Sequence, residues 1–160
     1  MAIFMKYGAL EGEASAKGYE KWIEIESVHF GVGRGISAGV GGPTKREATA
    51  PSVSEISVTK SMDSASPLLF KESFGGKAQD VKIDLTQTDN KGTHIAYQKY
   101  VLTETLISSY QLGSGSTTRP AENLSLNFNK IDSEYIKIDD KFQASTTGHV
   151  IYDISKATPS

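Results

Sequence analysis

The chain has 160 residues, of which 38% are hydrophobic, so it can bury one sizeable core and we expect a single domain over residues 1–160. Its 17 Lys and Arg residues against 19 Asp and Glu residues give a formal net charge of -2, without the basic excess that drives nucleic-acid binding. Because the chain has no cysteine, disulfide bonds, thiolate catalysis and cysteine-ligated zinc are excluded.

The N-terminal segment, residues 1–8, predicts a first strand and not a signal peptide. Its basic residue, Lys6, follows the apolar stretch instead of preceding it, and no cleavage site of small residues is present. Nowhere does the sequence approach the roughly 18 consecutive apolar residues that span a bilayer. We therefore expect a soluble protein, without membrane insertion, that would be exported by a route needing no cleavable signal.

Apolar and polar residues alternate with a period of two along most of the chain, which is typical of strands with one buried face. The predicted strands, in chain order, are 2–7, 22–30, 53–60, 81–85, 95–112, 124–128 and 149–155. In the longest of them both faces are rich in strand-forming residues. One face of this strand would pack in the core. The other face would either pack against another part of the protein or meet a neighbouring subunit.

One segment breaks the alternation and predicts a short helix at about residues 64–75. Ser64 or Ser66 would be its N-cap, Pro67 lies in the first turn, and the glycine pair 75–76 would end it. We expect this helix to flank a small two-sheet β-barrel and to cover an open end or side of it. The residues of its docking face would be Leu69, Phe70 and Phe74.

The segment 31–51 is rich in glycine, has no periodicity and is longer than most loops within compact domains, so we predict a long extended loop that is either functional or disordered. Gly35 to Gly39 matches the G-x-S-x-G pattern of a nucleophile elbow. No helix follows it and the chain lacks βαβ units, so Ser37 is interpreted as a loop residue. The glycine runs at 31–35 and 41–45 open no helix either, which argues against phosphate binding.

Other candidates for chemistry are weak. The three histidines, at positions 29, 94 and 149, are far apart in the sequence, and none has a second histidine three or four residues away. Asp139-Asp140 and Asp89-Asn90 lie in polar stretches typical of turns, where such side chains bond their own backbone. We predict no catalytic residue, no cofactor and no metal site.

A resemblance covers nearly the whole chain. The run from Leu106 to Tyr135 is similar, nearly residue for residue, to the C-terminal hairpin of the Hcp family, the haemolysin-coregulated proteins of bacterial type VI secretion. The other matching features are Ile23 to Gly31, the glycine-rich extension, Thr59-Lys60, Asp63, Ser66-Pro67 and Gly75-Gly76.

The resemblance implies a structural, non-enzymatic subunit of the secretion tube. Six copies would form a ring around a wide channel, and rings would stack into a tube that resembles a phage tail tube. The implied partners are effectors in the lumen, the contractile sheath and a VgrG-type spike protein. The protein would be made in the bacterial cytoplasm and then secreted.

The resemblance also implies site residues. The strand matching Ile23 to Phe30 would line the channel, so Ser27 and His29 would face the lumen and its effectors. A small polar residue is common at the position of His29, whose imidazole can change charge at physiological pH. The alternative is a strand histidine without a role in cargo binding. The ring-stacking loop would include Gly31, Gly33, Gly35, Gly39, Gly41, Gly42 and Pro43.

A second function remains open at this stage. A stand-alone β-sandwich binding module, or a secreted effector domain, would share the same strand pattern without forming a tube. The two interpretations differ in the size of the particle, because a tube subunit forms a ring of about six copies and a binding module is a monomer or dimer.

Overall fold

The computed structural model describes residues 1–38 and 46–159, which form a mainly β fold with one short helix. The strands are β1 Ala2–Tyr7, β2 Ile23–Ile25, β3 Ser27–His29, β4 Val32–Gly33, β5 Ile36–Ala38, β6 Arg46–Ala48, β7 Ser52–Val53, β8 Ile56–Ser61, β9 Gln79–Thr88, β10 His94–Gly113, β11 Ala121–Asn127, β12 Lys130–Ile138, β13 Ala144–Asp153 and β14 Thr158–Pro159. The helix is α1, Ser66–Gly75.

Strand β10 is 20 residues long and belongs to both halves of the structure. Its first half pairs with β9 and β12, and its second half pairs with β11, all antiparallel. Beyond these strands the pairing continues from β11 to β8 and β3, from β12 to β13 and β14, and from β9 to β1 and β2. The predicted mainly β fold with one helix is therefore confirmed.

The sheets are not closed into a barrel, so that part of the prediction is not confirmed. The predicted strand 22–30 is two strands, β2 and β3, separated by Glu26. β2 pairs with β1 and β3 pairs with β8, so no single strand carries the hydrogen-bond ladder across this position. The backbone bends at the exposed Glu26, whose amide donates a hydrogen bond to the Thr59 carbonyl at 2.8 Å.

The core consists of the inward positions of the alternating strands. Their apolar side chains pack between the two halves of the sheet, with one residue, Leu69, contributed by the helix. The apolar members with 0% exposure are Met5, Ile23, Ile56, Ala65, Leu69, Val81, Ile83, Leu102 and Leu126. The alternation in the sequence thus predicts the buried face correctly.

The segment between β1 and β2 covers the outer side of β1. Tyr19 stacks on Phe4 with ring centroids 4.4 Å apart, and its hydroxyl donates to the buried Asp84 at 2.9 Å. Gly12 passes close to the backbone, since a Cβ at this position would lie 2.4 Å from the Trp22 carbonyl oxygen. Any side chain there would force the backbone to shift.

The helix agrees with the prediction in position but not in its cap. Pro67 lies in the first turn and Gly75 ends the helix at φ 146°, as predicted. The N-cap is Ala65 without a side-chain bond, so the assignment of Ser64 or Ser66 is wrong. Ser66 is instead buried, and its hydroxyl accepts a hydrogen bond from the Asp63 amide at 2.9 Å.

Only part of the predicted docking face of the helix is buried. Leu69 is fully buried, whereas Phe70 and Phe74 are 48% and 77% exposed. The helix therefore buries one apolar side chain completely against the sheet, whereas the ring of Phe70 is about half exposed and that of Phe74 is mostly exposed. In the part of the chain that the structure describes, no helix has the length and apolarity to cross a membrane.

The glycine-rich segment is not a structureless loop in the part that is described. β4 pairs with β7 and β5 pairs with β6, which makes a two-stranded arm. The arm comprises residues 32–38 and 46–53, and the side chains described along it are almost all exposed. Periodicity could not reveal it because each ladder is only two or three residues long.

Candidate functional site

The two predicted lumen residues lie on one face of β3. His29 is exposed and pairs in register with Ser57 of β8. Ser57 pairs in turn with Ser125 of β11, and Ser125 pairs with Ser109 of β10. Directly opposed residues on neighbouring strands point to the same face of a sheet. His29 therefore begins a row of hydroxyl-bearing residues that crosses four strands.

A second row runs beside the first. Ser27 pairs with Thr59, Thr59 with Asn123, and Asn123 with Gln111. The Thr59 hydroxyl donates to Asn123 Oδ1 at 2.6 Å, so the row is also joined through side chains. We call the two rows together the polar face. His29 is its titratable member, and its other residues carry hydroxyls or amides.

Carboxylates border the polar face on two sides and are already engaged. Glu55 accepts hydrogen bonds from Ser108 Oγ at 2.6 Å and from Asn127 Nδ2 at 3.2 Å. Glu26, on the other side, accepts from Ser61 Oγ at 2.5 Å. These bonds hold the two negative charges at the margins.

The predicted stacking glycines are only partly described. The Gly31 amide donates to Ser54 Oγ at 2.7 Å, and the Gly35 amide donates to Thr49 Oγ1 at 2.8 Å, so both stand where the arm is tied together. Gly33 lies in β4. The remaining ones, Gly39, Gly41, Gly42 and Pro43, lie outside the described residues.

An apolar groove lies between α1 and the end of β10. It is a hollow of about 570 Å³, and aromatic contacts form one wall, since the Phe70 ring lies 5.0 Å from Tyr110 and 4.8 Å from Phe74. The lining residues, which define this apolar groove, are Met62, Asp63, Ser66, Pro67, Phe70, Tyr110 and Leu112.

A buried ion network forms the floor of this groove. Lys60, fully buried, donates to Glu122 Oε2 at 2.6 Å and to Asp63 Oδ1 at 2.8 Å. Glu122 also accepts from Ser66 Oγ at 2.7 Å and from the Tyr110 hydroxyl. The network joins β8, β11 and β10 to the start of α1, so it fixes the helix that walls the groove.

Electrostatics inside the network favour the charged carboxylate. Burial alone would raise the pKa of Glu122, but the bonds from Lys60, Tyr110 and Ser66 outweigh it and hold the pKa below its usual value. Burial and the bond to Glu122 raise the pKa of Tyr110. The ion pair is therefore intact at neutral pH.

A second apolar surface lies where the arm joins the body. It contains a hollow of about 530 Å³, and several of its aliphatic side chains are strongly exposed, among them Val32 at 63% and Val150 at 56%. The lining residues, which define this arm-base surface, are Phe30, Val32, Gly33, Arg34, Pro51, Val53, Ile131, Val150, Tyr152 and Ala157. It shares no residue with the apolar groove.

The weak candidates for chemistry are not brought together into a site. His94 Nδ1 lies 3.1 Å from Thr86 Oγ1, and His149 Nε2 lies 2.5 Å from Asp132 Oδ1. Ser37 lies on β5, and its hydroxyl donates to the Glu47 carbonyl at 3.4 Å. Over residues 1–38 and 46–159, no group of three or more histidines and carboxylates could hold a metal ion.

The two predicted turns are confirmed. Asp89 Oδ1 accepts hydrogen bonds from the amides of Lys91 and Thr93, and Asp139 Oδ1 accepts from those of Lys141 and Gln143. Both carboxylates therefore bond their own backbone, as turn residues do.

Sequence analysis missed the ion network, although the sequence contains a signal for it. Lys60 continues the inward series of Ile56 and Val58, and Glu122 begins that of Leu124 and Leu126. A charge at the inward position of an alternating strand needs a buried partner. Opposite charges at the inward positions of two strands therefore predict that the two side chains pair in the core.

The family model described as "Type VI secretion system effector, Hcp" matches residues 4–135. The chain belongs to the Hcp family. Hcp proteins are secreted structural tube proteins of type VI secretion and not enzymes. No curated protein sequence matches the chain significantly.

Solved structures share this fold across almost the full chain. A type six secretion system protein is 22% identical, with a TM-score of 0.86 and 99% of each chain covered. Hcp1 from Salmonella typhimurium is 20% identical, with a TM-score of 0.76 and coverage of 99% of this chain and 98% of that one. A type VI secretion system effector from Yersinia pestis is 21% identical, with a TM-score of 0.71 and coverage of 94% and 98%.

Proposed function

We propose that this Hcp-family chain assembles into rings of about six copies that stack into the inner tube of a type VI secretion system. The observation that carries the proposal is the pair of unlike apolar surfaces, the apolar groove and the arm-base surface, on one chain. A closed ring needs two different complementary patches on each subunit, whereas a two-fold dimer needs only one. Exposed apolar surface of this kind marks an interaction site.

The polar face is the surface that we assign to the lumen, with Ser27 and His29 in contact with effectors. Its hydroxyl and amide side chains keep it hydrated when the apolar surfaces are covered by neighbouring copies. The arm, together with Gly31, Gly33 and Gly35, is the part that we assign to contacts between stacked rings. The sheath and a VgrG-type spike would meet the tube from outside and at its tip.

Light scattering coupled to gel filtration tests the assembly. We expect a particle of about six times 17.3 kDa, because copies joined head to tail close into a ring. A clean monomer at micromolar concentration would favour the alternative of a stand-alone binding module. Stacking needs the rest of the machine in the cell, so a free single ring supports the proposal. Export would follow from the bacterial cytoplasm.

His29 is the effector contact that our proposal singles out in the lumen. The groups nearest to it on the polar face are hydroxyls, and the carboxylates that border this face, Glu55 and Glu26, are held at the margins by hydrogen bonds. The imidazole of His29 can therefore form hydrogen bonds with effector side chains.

The measurement compares the binding of one purified effector of the same system to the wild-type ring and to the His29→Ser ring. We expect the His29→Ser ring to bind the effector more weakly, because the shorter side chain does not reach as far into the lumen as the imidazole. If both rings bind the effector equally, the histidine has no role in cargo binding.

A further inference from the structure

We propose that the arm-base surface of one copy packs into the apolar groove of its neighbour in the same ring. The inference rests on the proposed function, and it names the two faces that hold the ring together. The first argument is composition. Apart from one charged residue each, the described linings consist of apolar side chains, one serine, one glycine and two tyrosines, of which Tyr110 already bonds Glu122 through its hydroxyl.

The shapes of the two surfaces also allow them to fit together. Each combines a hollow of similar volume, about 570 and about 530 Å³, with side chains that project beside it. Phe74, 77% exposed, stands next to the groove against Phe70. Val32 and Val150 project from the arm-base surface. Projecting side chains of one copy can therefore fill the hollow of the next, which is how buried interface anchors gain their energy.

The charges at the two surfaces are opposite. At the groove, Asp63 and Glu122 share Lys60 as their cation, so this ion network keeps one net negative charge, whereas the charged residue described in the arm-base surface is Arg34. Two arm-base surfaces or two grooves facing each other would bring like charges together. Opposite signs favour the pairing of unlike surfaces over a symmetric dimer.

Because the surfaces are unlike, each can be disabled alone. Leu112, in the groove, and Val150, in the arm-base surface, are 52% and 56% exposed strand residues, so lysine at either position need not disturb the core. Leu106 is a matched control: it lies on the same strand as Leu112, is 44% exposed, and lines neither surface.

The experiment measures particle mass for Leu112→Lys, Val150→Lys, Leu106→Lys and an equimolar mixture of the first two. We expect Leu106→Lys to keep the wild-type ring and each of the other two to be monomeric. Their mixture should give a dimer of one copy each, because one intact groove meets one intact arm-base surface. Circular dichroism spectra like that of the wild type verify that the monomers are folded.

The other outcomes overturn the inference without affecting the proposed function. Rings that survive Leu112→Lys or Val150→Lys would mean that these surfaces lie outside the ring contact. A mixture that stays monomeric would mean that they do not pair with each other. A wild-type chain that is itself monomeric would instead contradict the proposed ring.

Discussion

Glu122→Ala should lower the free energy of unfolding by about 3 kcal/mol, because it leaves the fully buried Lys60 without its closest partner. The loss should fall at the lower end of the range for broken buried ion pairs, since Asp63 remains 2.8 Å from the ammonium. Urea unfolding, followed through the single tryptophan, Trp22, measures it at one fixed protein concentration, because assembly adds to apparent stability.

The matched control removes the charges of Lys60 and Glu122 and leaves Asp63, whose carboxylate also accepts a hydrogen bond from the Ala65 amide at 3.0 Å. Lys60→Met with Glu122→Gln keeps an oxygen that accepts from Tyr110 or Ser66, so the double variant should lose less stability than Glu122→Ala. An equal or greater loss would mean that the ion pair itself, and not the isolated charge, dominates the effect.

The same network should give an acid limit to stability. The pKa of Glu122 is lower in the folded chain than in the unfolded one, so its contribution is complete above the ordinary value of about 4.3. It is lost as the pH falls through the lower folded value. The Glu122→Gln chain should therefore have a flatter stability curve in acid, and identical curves would exclude this carboxylate as the cause.

Leu69→Ala should lower the free energy of unfolding by about 2–5 kcal/mol, because Leu69 is the fully buried apolar residue through which α1 rests on the sheet. Phe74→Ala on the same helix should change it by no more than about 0.5 kcal/mol, since the ring is 77% exposed. Urea unfolding of both in the Leu112→Lys chain separates fold stability from assembly.

In the assembled protein Phe74 should matter more than it does for the stability of the fold. Phe74→Ala, nearly neutral for the fold, should shift the ring towards smaller species when it is diluted, because the side chain projects beside the groove. A ring of unchanged stability on dilution would remove Phe74 from the contact. A large loss in unfolding free energy for Phe74→Ala would contradict its exposed position.

Alternation predicted the strands well where one face is buried, as for β1, whose bounds match the prediction, and for β8 and β11. It failed for β12, where polar residues such as Ser133 and Glu134 interrupt the pattern although the strand pairs on both sides with β10 and β13. β12 is a strand because it pairs with a strand on each side, and not because it has one continuous apolar face. A local sequence pattern does not reveal pairing with strands that are distant in the sequence.

The candidate site was predictable only in part. The sequence placed Ser27 and His29 on one strand, but their continuation through Ser57, Ser125 and Ser109 depends on the register between distant strands, which no local pattern encodes. The exposure of Phe70 and Phe74 was also hidden, because an apolar residue on a helix predicts burial whether the partner is the chain itself or another molecule.

Strand β10 has a mechanical consequence for a ring joined through these surfaces. Its last residues, Tyr110 and Leu112, wall the groove, and Tyr100 contacts Phe30 of the arm-base surface with ring centroids 5.3 Å apart. About 40 Å of β10 thus connects the groove to Tyr100, and the aromatic contact with Phe30 joins the strand to the arm-base surface. Tension around the circumference would run along the covalent backbone of β10 over most of the distance between the two surfaces. A ring under load should therefore separate at the contacts between subunits before β10 itself unfolds.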